Sequence, residues 1–231
     1  MFFWNPTYWL FIAPALLLML YAQWRVRSAY NKWGKVANHS NLPGAKVAER
    51  LMADNGIYDV SIRPIAGELT DNYDPRSHTL NLSQGTGSQN SVAAMAIVAH
   101  EVGHAQQHAK GSLLLQLRSG IVPAVNIGAQ FGPLLFIAGF FLQLTPLMWL
   151  GIAFFSLAFV FALITLPVEI DASSRALRML KSSGIVVGDD ERRGARAVLS
   201  AAALTYVAAM LMALFQLLYY VMLAGSGRRR R

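Results

Sequence analysis

Three long stretches of the chain carry no Asp, Glu, Lys or Arg: residues 1–24, 119–167 and 197–227. Such runs restrict the fold more than any other feature of the sequence. A helix rises about 1.5 Å per residue and a hydrocarbon core is about 30 Å thick, so roughly 20 apolar residues cross it. The 49-residue run at 119–167 is therefore read as two spans, divided near "LQLTP" at 142–146, and the other two runs as one span each. The expected fold class is mainly α, a multi-pass membrane protein of about four transmembrane helices. Composition agrees, since only 14% of the 231 residues are charged and 55% are hydrophobic. The first run lacks a basic residue ahead of it and a small-residue cleavage site after it, so it reads as a retained anchor.

The charges that remain are segregated. Ten Lys and Arg lie in 25–118, six in 168–196 and four in the tail Arg228–Arg231, while none precedes the first span or occupies the turn at 142–146. By the positive-inside rule the N-terminus and that turn face outward, and the two polar segments share the cytosolic side. This divides the chain into an anchor (1–24), a cytoplasmic domain (25–118), a transmembrane hairpin (119–167), a second polar segment (168–196) and a C-terminal transmembrane helix with its basic tail (197–231). The tail conflicts with the same rule, because four complete crossings would place it outside. The net charge of +8 flanks apolar spans and forms no stripe with exposed aromatics, so it indicates orientation in a lipid bilayer and no nucleic-acid partner. The absence of cysteine excludes disulfides and thiolate metal sites.

Within 25–118 the pattern is mixed α and β. A helical extension follows the first span. "LPGAKVAERLMADNG" reads as a short amphipathic helix, "YDVSIRPI" (58–65) and "HTLNLS" (78–83) alternate as strands do, and "TDNYDPRS" (70–77) is dense in turn formers. From Asn90-Ser91 to Gly111 an apolar helix runs into "AHEVGHAQQHAK".

"HEVGH" at 100–104 places two histidines a little over one turn apart, so His100 and His104 leave the helix on one face and can take two corners of a tetrahedral zinc site. Glu101, one position round, is placed to act as general base on a water at the open corner. His108 continues the row, but eight residues of helix carry it about 12 Å from His100, too far to share one ion. The third ligand must come from elsewhere. Glu169 and Asp171 are the first acids after the 49-residue run, on the same membrane side as the helix, and an acid so near a span's end needs a partner. Glu169 is the expected ligand; Asp171 is expected to hold a histidine's second nitrogen or to pair with Arg175 one turn on.

"LPGAKVAERLM", "LTDNYDPRSHTLNLS", "AHEVGHAQQH", "IVPAVNIG", "TLPVEIDASSRAL" and "VLSAAALTYVAA", in order over residues 42–210, resemble the YugP-type neutral zinc metallopeptidases of bacterial membranes, distant relatives of the HtpX and CAAX prenyl protease group. The resemblance implies a small α+β zincin-like (gluzincin) catalytic domain with one Zn2+ per chain and a catalytic face toward the cytosol, in the bacterial cytoplasmic (inner) membrane. Carried over by position, His100, His104 and Glu169 are zinc ligands and Glu101 is the general base. The HtpX-like relatives commonly carry an aspartate four residues after the glutamate ligand; here that position is Ser173. The strand before the catalytic helix, here His78, Thr79, Leu80, Asn81 and Leu82, would bind substrate along its exposed edge. Tyr73, His78 and Arg175 are candidates to assist the oxyanion.

The expected activity is zinc-dependent endopeptidase cleavage of membrane or membrane-proximal polypeptides. The alternative is a non-catalytic membrane scaffold with a structural zinc, which requires a fourth protein donor such as His78 or Asp171. A solute transporter fits poorly, because the spans contain no charge and few polar groups beyond Asn126, Gln130 and Gln143.

Overall fold

The computed structural model describes residues 6–226. Arg228–Arg231, whose side of the membrane was in question, lie outside the described residues. Four helices dominate: α1 (Pro6–Trp33), α5 (Leu113–Phe141), α6 (Thr145–Ser182) and α7 (Asp189–Ser226). All four are long and apolar enough to cross a membrane. The break between α5 and α6 falls at 142–144, as the "LQLTP" turn predicts, with Gln143 at a positive φ of 56°.

The chain divides into two compact units, to both of which these four helices contribute. The first comprises Met1–Tyr21, Gln116–Pro167 and Thr205–Arg231. Its α5 and α6 approach closely over Gly128, Gly132, Gly139 and Gly151, where added Cβ atoms would come within 3.0 Å of the facing backbone. Small residues at such contacts let helices gain van der Waals packing where lipid offers no hydrophobic drive. Phe136 stacks on Tyr220 with ring centroids 4.2 Å apart.

The second unit, Ala22–Leu115 with Val168–Leu204, holds the small domain. Here α2 (Gly44–Asp54) buries Val47, Ala48, Leu51 and Met52, the face its 3.6-residue period marks out. A three-stranded sheet has the order β1 (Ser61–Ile65), β3 (Thr79–Ser83), β2 (Asn72–Asp74). β1 runs parallel to β3 and β2 antiparallel to it. A short helix, α3 (Gln84–Ser88), leads to α4 (Val92–Ala109). Ser91 caps α4, its Oγ accepting from Ala94 N–H at 3.1 Å, and Gly111 ends the turn beyond it at φ +65°. α4 lies at the centre of the core with Leu51, Leu80, Leu82, Ala176, Leu180 and Leu199 packed in the same cluster.

Two expectations need correction. Residues 72–74, inside a stretch rich in turn formers, form β2, and β3 is the central strand. In the segment expected to offer an exposed edge to substrate, Thr79, Leu80 and Asn81 are paired on both sides and Leu82 with β1, and His78 precedes the strand at a positive φ of 50°. The reason is tertiary: Asp71 accepts from Ser83 N–H at 2.7 Å and from the hydroxyls of Ser83 and Thr86, which folds 72–74 back along β3.

Candidate metal centre

The apolar first half of α4 buries the helix, and Gly103 sets how near α6 can come. A Cβ at position 103 would lie 2.6 Å from the Ala172 carbonyl oxygen, inside any real contact distance. With hydrogen alone there, the two backbones meet, and the side chains one step to either side converge. His100 and His104 come from α4 and Glu169 from α6.

His100 Nε2 lies 3.1 Å and His104 Nε2 3.5 Å from Glu169 Oε2. One donor atom from each of the three residues lies within 4.8 Å of the others. Bonds of about 2.0–2.1 Å to a tetrahedral zinc put neighbouring donors about 3.3–3.4 Å apart, so these separations fit one ion. The donors are of the right kind, two imidazole nitrogens and a carboxylate oxygen. Glu169 is 2% exposed in its side chain, His104 10% and His100 12%, so the cluster is largely out of water.

Each histidine is held from behind. His100 Nδ1 is 3.2 Å from Ser173 Oγ, so the serine at the position of the expected aspartate still reaches the first histidine. His104 Nδ1 is 3.0 Å from Gln107 Oε1. Asp171 pairs with Arg175 at 2.6 Å and meets His104 only through Gln107, whose Nε2 donates to it at 2.8 Å.

Glu101 sits beside the cluster, buried, with Oε2 accepting from Tyr73 N–H at 2.9 Å. Burial pushes its carboxyl above the usual range, with His100 and His104 opposing the shift and Glu169 adding to it. Burial works against charge on His104, but hydrogen bonding to Glu169 and the charges of Glu101 and Glu169 outweigh it and raise its pKa.

The remaining sequence candidates fall into a separate row. Tyr73 hydroxyl lies 2.8 Å from His108 Nδ1, the His78 ring meets the His108 ring edge-on at 5.0 Å, and His78 Nδ1 lies 2.7 Å from Asp59. Arg175 is committed to Asp171 and, at 3.0 Å, to Gln106. Neither His78 nor Asp171 belongs to the three-donor group found among the described residues.

Sequence reasoning missed Ser173, Gln107 and the main-chain contact from Tyr73. One signal was available: two adjacent glutamines in a buried helix, directly after the histidines, must find partners there.

The fold and this site combine four helices long and apolar enough to cross a membrane with a buried His-His-Glu donor set. The family model described as "Putative neutral zinc metallopeptidase" matches residues 8–225, and the chain belongs to that family. It is 46% identical over 214 residues to a protein of Bacillus subtilis (strain 168) named "Putative membrane protease YugP", across 93% of this chain and 95% of that one. No solved structure matches the chain.

Proposed function

We propose that the protein is a zinc-dependent endopeptidase acting on membrane or membrane-proximal polypeptides. His100, His104 and Glu169 hold one zinc ion per chain and Glu101 is the general base. The observation that carries this reading is the convergence of His100 Nε2 and His104 Nε2 on Glu169 Oε2, at 3.1 and 3.5 Å, with a buried Glu101 one position from the first histidine. A closed structural site would need a fourth donor, and the two nominated for it are engaged with Asp59 and with Arg175.

When bound, zinc supplies Lewis acidity that polarises a carbonyl and lowers the pKa of water. The chain supplies the proton path. Glu101 accepts the proton of the attacking water and delivers it to the leaving amine. Tyr73 N–H fixes the carboxylate from one side, and a raised carboxyl pKa suits a group that must take up and then release a proton near neutrality. Of the two outer sheet edges, that of β2 lies beside Glu101 and is where the substrate backbone would run.

The compact unit of Ala22–Leu115 with Val168–Leu204 supports a catalytic module assembled from 25–118 and 168–196, and the Lys and Arg of these segments support its cytosolic placement in the bacterial cytoplasmic membrane. The test is a proteome-wide comparison of cells expressing wild type or Glu101→Gln. The variant should retain zinc and lose about 10²–10⁴-fold in cleavage rate, so that a defined set of membrane proteins accumulates. Identical membrane proteomes at equal expression would refute the reading.

A further inference from the structure

Gln107 is 1% exposed and lies three residues beyond the second histidine of the motif. Every polar atom of its amide is used. Nε2 donates to the Val168 carbonyl at 2.9 Å and to Asp171 Oδ2 at 2.8 Å. A carbonyl and an ionised carboxylate only accept, so the NH₂ group must face them, and the amide cannot be turned over without opposing oxygen to oxygen. Oε1 is thereby aimed at His104 Nδ1, 3.0 Å away. An amide oxygen only accepts as well. The proton of a neutral His104 must then sit on Nδ1, and the Nε2 lone pair is left facing Glu169, 3.5 Å away.

Arg175 secures this orientation through Asp171, while its second bond, to Gln106, leads away from the histidines. Arg175 Nε donates to the same Asp171 Oδ2 at 2.6 Å, and its Nη1 donates to Gln106 Oε1 at 3.0 Å. Gln106 Nε2 in turn donates to Asn55 Oδ1 at 2.7 Å. The guanidinium is always a donor, so the direction of donation is fixed from Arg175 inward. The other histidine has no such arrangement: His100 Nδ1 faces the Ser173 hydroxyl, which can donate or accept and selects neither tautomer.

We propose that Gln107 is a positioning residue for His104: locked by Asp171, Arg175 and the Val168 carbonyl, its amide oxygen selects the Nδ1-protonated imidazole and presents Nε2 to the metal. This inference rests on the zinc reading above. A role confined to joining α4 and α6 would be shared by Gln106, which bridges the same helices through Arg175 without touching a histidine, and that difference supplies the control.

The experiment uses the full chain in lipid nanodiscs, with zinc affinity measured by chelator competition and the ligand-field spectrum recorded with Co2+ in place of zinc. Gln107→Leu should weaken zinc binding by about 10–100-fold and alter the Co2+ spectrum, whereas Gln106→Leu should leave both close to wild type. Should Gln107→Leu fail to fold, Gln107→Asn, which withdraws the amide by one methylene, carries the same expectation. Unchanged affinity and spectrum in these variants, or equal losses in Gln106→Leu, would overturn the inference. Wild-type protein that takes up neither zinc nor Co2+ would instead overturn the zinc reading itself.

Discussion

Tyr73 joins two neighbourhoods, the metal cluster and the row of His78 and His108. Its main-chain N–H donates to Glu101, and its hydroxyl reaches His108. Burial, with Asp59 and Asp74 adding to it, pushes the phenol up to about 12. The fold favours the neutral phenol, so its contribution to stability is complete below the ordinary value of about 10 and is lost as the pH rises from there toward about 12. An alkaline ultraviolet titration of wild type minus Tyr73→Phe should therefore place the missing phenol near pH 12, and a missing phenol near pH 10 would contradict it. The neighbouring His108 shows how helix rise settles a residue's role. It shares the row of His100 and His104 in sequence, yet its ring nitrogen meets a tyrosine and its ring packs on His78.

At the scale of elements, the site depends on how closely α4 and α6 approach. Gly103→Ala would drive a methyl group to 2.6 Å from the Ala172 carbonyl oxygen, and backbone, unlike a side chain end, cannot swing away. The helices must separate, with a loss of roughly 1–3 kcal/mol in unfolding free energy and a weaker metal site; thermal and denaturant unfolding of the variant would check it. An unchanged melting curve would show that α6 is free to shift. Much of this was legible in the sequence. The i, i+4 histidines state their own geometry, the uncharged runs mark the spans, and Glu169 stands out as an acid at the end of one. β2 was not legible, because "TDNYDPRS" has the local chemistry of a turn and becomes a strand only through Asp71's bonds to Ser83 and Thr86. Nor was the role of Gln107, whose amide partners on α6 are 61 and 64 residues away in sequence. Local periodicity carries no information about contacts at that separation.

For the whole molecule, the charge distribution predicts which side of the membrane carries the small domain. The chain has no cysteine, so a single introduced thiol reports its own location without background. Tyr58, 83% exposed in the loop before β1, is a suitable position. Tyr58→Cys should react with an impermeant thiol reagent in inside-out vesicles and stay unlabelled in intact cells. The opposite pattern would reverse the orientation derived from Lys and Arg. The same sidedness matters for function, since a cytosolic site would meet polypeptides as they emerge at the inner face of the membrane.

Glu169, 69 residues beyond His100, is proposed to complete a zinc site with the two histidines of α4. Zinc content and affinity of the purified full chain, wild type against Glu169→Gln, measure it most directly. The wild type should carry about one zinc per chain, and loss of the ligand should reduce affinity by at least the roughly 10–100-fold that loss of an outer-shell partner typically costs. Wild-type protein without stoichiometric zinc, or a Glu169→Gln variant that binds zinc as tightly as the wild type, would contradict it.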